Sequence, residues 1–180
     1  QSTGEVIGIH DDPRVAMAKA LLGASLVPPR AGLGGAVALL SIAERDKGLL
    51  PRLAAALVRA GYRLAATDGT RDALAAAGFE AELVAKIAEA GAPGEPILDV
   101  IRSARVRLVV NTPTPRSGVV RDAAEIRYAA IAEGILCLTA IETAVAATEA
   151  LDPAVTRRLA EVRALAEWVP SPGRGAVPVA

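Results

Sequence analysis

Beyond Gly35 the chain alternates short apolar runs with stretches of helical periodicity. Ala36-Val-Ala-Leu-Leu-Ser41 is an apolar run ending in polar residues, the pattern of a buried parallel strand. Leu49, Leu50, Leu53, Leu57 and Val58 follow at helical spacing, and Gly61 stops that helix. The same rhythm predicts a strand over 62–66, a short helix over 70–77 closed by Gly78, and a weak strand over 81–84. A helix over 97–103, with Pro96 suited to its first turn, leads to the clearest strand, 107–111. A helix over 120–133 closed by Gly134, a strand over 135–138 and a helix over 142–151 complete the series. Five strands alternating with helices predict an α/β sandwich, a parallel sheet covered on both faces.

The flanks read differently. Residues 1–10 are Gly-rich and polar, 12–22 have the pattern of a short helix, and 23–35 hold Pro28, Pro29 and four glycines, as a linker does. Asp152-Pro153 starts an extra helix running to about Trp168, and the Pro/Gly-rich tail from Pro170 is expected to fray. Three parts result: a connecting segment 1–35, a body 36–151, and a C-terminal helix and tail 152–180. An opening Gln1 with Met17 as the sole methionine leads to the expectation of a fragment of a longer polypeptide.

Composition narrows the function classes. Twenty basic and twenty acidic residues give zero formal net charge, so the chain has no general attraction for nucleic acid or an anionic membrane. Any anion site must be local. At 52% hydrophobic with only 2% aromatic residues, the core must be built of Ala, Val, Leu and Ile, and a base-stacking surface is not expected. One cysteine and one histidine exclude an internal disulfide, a Cys-based zinc site and a His pair for metal, and leave little scope for a Ser-His-Asp triad. No stretch reaches the roughly 20 apolar residues of a bilayer span, and no signal peptide opens the chain, so a reducing cytoplasmic setting is expected.

In such a sheet, ligands bind beyond the carboxyl ends of the strands, where helix N-termini converge. Those ends carry Ser41 with Asp46-Lys47, then Thr67-Asp68-Gly69-Thr70, then Lys86, then Asn111-Thr112-Pro113-Thr114, and finally Thr139. Hydroxyls, free backbone amides and lysines are what a phosphate requires. Gly69 would let the backbone turn tightly so that Thr67 and Thr70 face one oxygen cluster, with Lys47 and Lys86 as point charges. Asn111 has both a donor and an acceptor with which to read a base or ribose edge. Each residue alone has a plainer explanation: the threonines as helix caps, the lysines as solvated charges, Asn111 as a turn former. Their common position on one sheet edge favours an anion site.

These residues also carry a resemblance. Ser2-Thr-Gly-Glu-Val-Ile-Gly8, Ala38-Leu-Leu-Ser-Ile42 with Asp46-Lys47, Ala66-Thr-Asp-Gly-Thr70, Val84-Ala-Lys-Ile87, Val109-Val-Asn-Thr-Pro113 and Ile126-Arg127 follow one another in order and spacing. Over residues 2–151 the chain resembles the C-terminal allosteric, methylglyoxal-synthase-like domain of the carbamoyl-phosphate synthetase large subunit. The resemblance implies a Rossmann-like three-layer sandwich around a five-stranded parallel sheet that performs no chemistry itself. It implies binding of UMP as inhibitor and IMP as activator, with Ser41, Lys47, Thr67, Thr70, Lys86, Asn111, Thr112 and Thr114 as nucleotide-binding positions. It also implies ornithine at Thr139, in a pocket shared with a neighbouring domain. No cofactor is implied for the fragment; the parent ligase uses ATP with Mg or Mn, and hydrolyses glutamine through a small glutaminase subunit. The remaining large-subunit domains and oligomerisation are further implied partners. A Gly-Arg-Pro segment of the family is here Gly94-Glu95-Pro96, which would bring an anion near the ligand edge.

Two relatives that are enzymes provide alternatives, as does a purely structural oligomerisation module. Methylglyoxal synthase needs a carboxylate base in an acidic Gly-Gly-Asp loop after Lys86. The sequence there is Ala88-Glu-Ala-Gly-Ala-Pro-Gly-Glu95, leaving Asp46, Asp68 and Asp99 as carboxylates, with Asp68 read as a turn residue and Asp99 as a helix-surface one. The purine-pathway cyclohydrolase, with a similar Ser…Asp-Lys opening, would need a histidine that this region lacks. His10 reads as solvent-exposed or packed on a neighbour, Cys137 as a small core residue, and Arg157, Arg158 and Arg163 with Glu161 and Glu167 as a solvated helix face. Trp168 would anchor that helix to the body.

Overall fold

Alternation within the first strand decides which helices cover which face of the sheet. In the computed structural model, which describes residues 6–24, 26, 35–87, 93–112 and 117–168 (of 117–121 the backbone alone), β1 spans Val37–Ser41. Its Val37 and Leu39 side chains enter one core layer and Ala38 and Leu40 the other, the period of two that a strand imposes. The remaining strands are β2 (Arg63–Thr67), β3 (Glu82–Ala85), β4 (Glu95–Pro96), β5 (Val106–Asn111) and β6 (Leu136–Leu138). All pairings are parallel, in the order β4-β3-β2-β1-β5-β6.

Helices α1 (Pro13–Gly23), α2 (Leu50–Arg59), α3 (Asp68–Ala76) and α6 (Ile141–Ala150) bury Val15, Leu53, Leu57, Leu74 and Ile141 against one face. Helices α4 (Ile97–Arg102) and α5 (Ser117–Ala132) bury Ile97, Ile101, Ile126 and Ala130 against the other. Each fully buried Val, Leu or Ile among them contributes about 1.5–3 kcal/mol. The chain winds outward from β1 to β4, then crosses back to place β5 on the other side of β1. β1 and β5 therefore flank the point where strand order reverses, the place where a parallel sheet opens a crevice at its carboxyl edge.

The structure has six strands where five were expected. The sixth, β4, pairs Glu95 with Val84 and Pro96 with Ala85; two residues are too few to show alternation, and its edge position tolerates the missing Pro96 N–H. Pro96 caps α4 rather than opening its first turn. A 3-10 helix, Glu44–Leu49, carries Asp46-Lys47 between β1 and α2. The expected helix to Trp168 is two four-residue turns, α7 (Pro153–Thr156) and α8 (Leu165–Trp168). Between them the backbone makes i−3 bonds, Arg158 to Val155 and Glu161 to Arg158, and the side chains there also reach the N-terminal segment.

That attachment revises the expectations for His10, Trp168 and the arginines. The His10 side chain is 1% exposed. Its Nδ1 accepts the Asp12 backbone N–H at 2.8 Å, so the ring proton sits on Nε2, which donates to Glu161 Oε2 at 2.8 Å. Arg158 bridges Asp12 and Glu161, Arg163 reaches Asp11, and Lys19 Nζ donates to the Glu161 carbonyl at 2.6 Å. Trp168 lies against the His10 ring, with the Arg163 guanidinium 4.3 Å from its centroid. Hydrogen bonds from Arg158 and then His10 pull the Glu161 carboxyl down to about 2. Val15, Ala18 and Leu21 of α1 meanwhile share the core of the sheet.

No described helix is long and apolar enough to cross a membrane. Most of the stretch expected as a linker, together with Thr114 and the tail from Pro170, lies outside the described residues.

Candidate functional site

Strands end where their alternation gives way to Ser, Thr and Asn, and three such ends meet at the crossover. A cleft of about 300 Å³ opens at the carboxyl ends of β1, β2 and β5, between α3 and α5. Ser41, Lys47, Thr67, Thr70, Lys86, Asn111 and Thr112 all line it. Thr67, Thr70, Asn111 and Thr112 are buried, Ser41 and Lys47 half-buried, and Lys86 exposed.

The buried hydroxyls are oriented by the backbone. Thr70 Oγ1 accepts the Ile42 N–H at 3.0 Å, and Thr112 Oγ1 accepts the Ala43 N–H at 2.7 Å. Thr67 Oγ1 donates to Thr70 Oγ1 at 3.3 Å. Thr70 Oγ1 thus accepts two bonds and Thr112 Oγ1 one, and both hydroxyls keep their own protons to donate. Asn111 Nδ2 donates to the Ala123 carbonyl at 3.3 Å, fixing the amide and tying α5 to β5.

At α3, Thr67 occupies the N-cap position but makes no side-chain capping bond. The plainer capping role therefore fails for Thr67, and the first-turn amides are not covered by it. Gly69 sits within that first turn with no positive φ, so its expected role in a tight turn is corrected. Its value is space: a Cβ there would lie 3.5 Å from Lys47 Nζ. The Lys47 ammonium and the positive end of a helix dipole thus converge on one spot, an arrangement that an anion stabilises.

Three features of the cleft were missed in the sequence. Glu44 pairs with Lys47 at 2.6 Å from within the 3-10 helix. Asp122 of α5 brings a second carboxylate; its signal was the i+4 spacing to core-facing Ile126. Ile87, Ile97, Ala123 and Ile126 form an aliphatic wall beside the polar groups. Among the described residues no group of three His, Cys, Asp or Glu could hold a metal ion.

Other candidates lie elsewhere. Thr139, after the outer strand β6, is exposed and does not line the cleft. Glu95 also lies outside the cleft lining: it pairs with Arg105, which bridges to Glu82 at 3.0 Å, so no anion is brought to the ligand edge by that substitution. Asp68 and Asp99 are exposed and pair with Arg71 and Arg102. Asp46 pairs with Arg45 at 3.5 Å. Cys137 is half-buried in β6, and burial pushes its thiol up.

With this geometry in view, the MGS-like domain family matches residues 50–139. The chain is 42% identical over 151 residues to the carbamoyl phosphate synthase large chain of Thermomicrobium roseum, covering 84% of this chain and 14% of that protein. It is 35% identical over 169 residues to the large chain of Corynebacterium glutamicum, and 38% identical over 169 residues to that of Streptomyces avermitilis. Each of these alignments covers 93% of this chain and 15% of the relative. The chain thus spans about one-seventh of the length of these relatives. It belongs to the MGS-like domain family, in the form found in carbamoyl phosphate synthase large chains.

Proposed function

We propose that this chain is the effector-binding domain of a carbamoyl phosphate synthase large chain and that its cleft takes a nucleoside monophosphate, UMP as inhibitor and IMP as activator. One observation carries the reading: two lysines, two hydroxyls with protons to donate and an α3 N-terminus without a Thr67 cap border one cleft that is also lined by aliphatic side chains. The phosphate would lie among Lys47, Lys86, Thr70 and Thr112, with Ser41 and Thr67 beside them. The nucleoside would extend along Ile87, Ile97 and Ile126, with Asn111 and the Asp122 carboxylate as polar partners for base and ribose. The volume suits a small ligand. Thr114 would join the site from the loop after β5.

In the parent ligase, which would use ATP with Mg or Mn and ammonia from a glutaminase subunit in the cytoplasm, such a domain acts without chemistry of its own. It shifts catalysis by the difference in effector affinity between two states, a coupling of about 1–3 kcal/mol. Ornithine at Thr139, contacts with the other large-chain domains and oligomerisation belong to the same proposal.

Calorimetry with UMP and IMP tests it. Lys86→Ala is expected to weaken both nucleotides by about 1.5–3 kcal/mol, the value of a hydrogen bond to a charged group. Asn111→Ala is expected to change the ratio of the two affinities. No heat with either nucleotide, or an unchanged affinity in Lys86→Ala, overturns the assignment.

A further inference from the structure

Lys47 and Glu44 belong to the same 3-10 helix, Glu44–Leu49, and both line the cleft. In a 3-10 helix, side chains three apart eclipse one another, and here this brings Lys47 Nζ within 2.6 Å of Glu44 Oε2. The two partners are unequal: the Glu44 side chain is 84% exposed and that of Lys47 is 22% exposed. The ammonium is the member built into the cleft wall, above Gly69 at the start of α3, and the carboxylate reaches it from the solvent side. A cation beside the positive end of a helix is disfavoured unless an anion accompanies it, and in this structure Glu44 supplies that negative charge.

We infer that Glu44 is a built-in competitor for the anion site, a carboxylate that holds Lys47 until a phosphate takes the ammonium from it. The inference rests on the reading of the cleft as a phosphate site. Because the pair is solvent-exposed on the Glu44 side, breaking it costs little, and Glu44 tunes the affinity without blocking the site. The effect is a site whose effector threshold is set by one exposed side chain. Substitution of that residue would move the threshold while the phosphate contacts stay intact.

A double-mutant cycle of Glu44→Gln and Lys47→Met, with calorimetry against inorganic phosphate and against UMP, tests this. Glu44→Gln is expected to tighten both ligands by about two- to five-fold, the range of an exposed ion pair. In the Lys47→Met background the same change is expected to have no effect, since there is no ammonium to compete for. An unchanged affinity in Glu44→Gln overturns the inference. So does an equal gain in both backgrounds, which would make Glu44 a source of general repulsion. Phosphate binding that follows the cycle, with no gain for UMP over phosphate, upholds the competitor and removes the nucleotide reading instead. Failure of both ligands to bind the wild-type chain overturns both.

Discussion

Ala43 donates its backbone N–H to Thr112 Oγ1 at 2.7 Å, and that bond decides what the hydroxyl can offer. With a lone pair committed to the loop after β1, the Thr112 proton is directed away from Ala43. The bond also joins the ends of β1 and β5, the two strands that flank the crossover, where Thr112 N–H donates back to the Ser41 carbonyl at 3.0 Å. In the proposed site the same hydroxyl would serve the fold and the ligand.

Thr112→Val is therefore expected to do two things at once. It leaves the Ala43 N–H without its acceptor, at a cost of about 1–3 kcal/mol, and removes a donor from the cleft. Thr112→Ser retains both functions. Chemical denaturation with UMP titration checks this: a valine variant that binds UMP as tightly as wild type would remove Thr112 from the contacts.

Gly69→Ala separates folding from binding. The backbone there is helical, and an added Cβ meets only Lys47 Nζ, at 3.5 Å, an ordinary contact. Alanine is favoured over glycine in helices by up to about 1 kcal/mol, so the melting temperature is expected to hold or rise. The methyl group nonetheless occupies the space between Lys47 and the α3 amides, and phosphate affinity is expected to fall. A variant with undiminished phosphate binding would place the anion elsewhere.

Gly8→Ala addresses the N-terminal segment. A Cβ at Gly8 would lie 1.9 Å from the Ala16 carbonyl oxygen and 2.7 Å from the Ala20 nitrogen, both backbone atoms of α1. No rotamer relieves such a clash, so the segment must lift. Faster hydrogen exchange over residues 6–12, with β1 and β5 unaffected, is the expected result.

Acid should release the same segment from its other side. The folded Glu161 carboxyl titrates at about 2, below its ordinary 4.5, because Arg158 and then His10 bond the charged form. Its contribution is complete above pH 4.5 and disappears as the pH falls toward 2. Trp168 is the sole tryptophan and lies on the His10 ring, so its emission reports the contact. The emission is expected to change as the pH falls from 4.5 toward 2, ahead of the far-ultraviolet dichroism. Glu161→Gln is expected to show the altered emission already at neutral pH. Emission that changes only with global unfolding would remove Glu161 as the tie.

The β1, β2 and β5 runs were legible because a strand buried on both faces must be apolar throughout and must turn polar where it leaves the sheet. The same rule located Ser41, Thr67, Asn111 and Thr112, since a parallel sheet brings strand ends of one polarity to one edge. Lys86 was legible because it directly follows β3, and Lys47 because it lies in the short segment between β1 and the next helix. Less was legible where the partner is distant. His10 and Glu161 are separated by 151 positions and bond at 2.8 Å, and nothing local distinguishes either from a solvated side chain. Charges at helical spacing over 157–167 read as a helix face because the Asp11 and Asp12 carboxylates that claim Arg163 and Arg158 belong to another part of the chain.

The amino-acid order alone therefore settled the layered α/β architecture and the sheet edge at which the cleft opens, because strand period and strand-end polarity are local properties. Folding settled which groups share a cavity and which partner each one takes. Glu95 was drawn away to Arg105, Asp122 was brought in on α5, and Glu44 was set against Lys47 by a 3-10 turn. Coulomb attraction and hydrogen bonding act through space at a few ångströms, and distance along the chain carries almost no information about that separation once helices and strands pack.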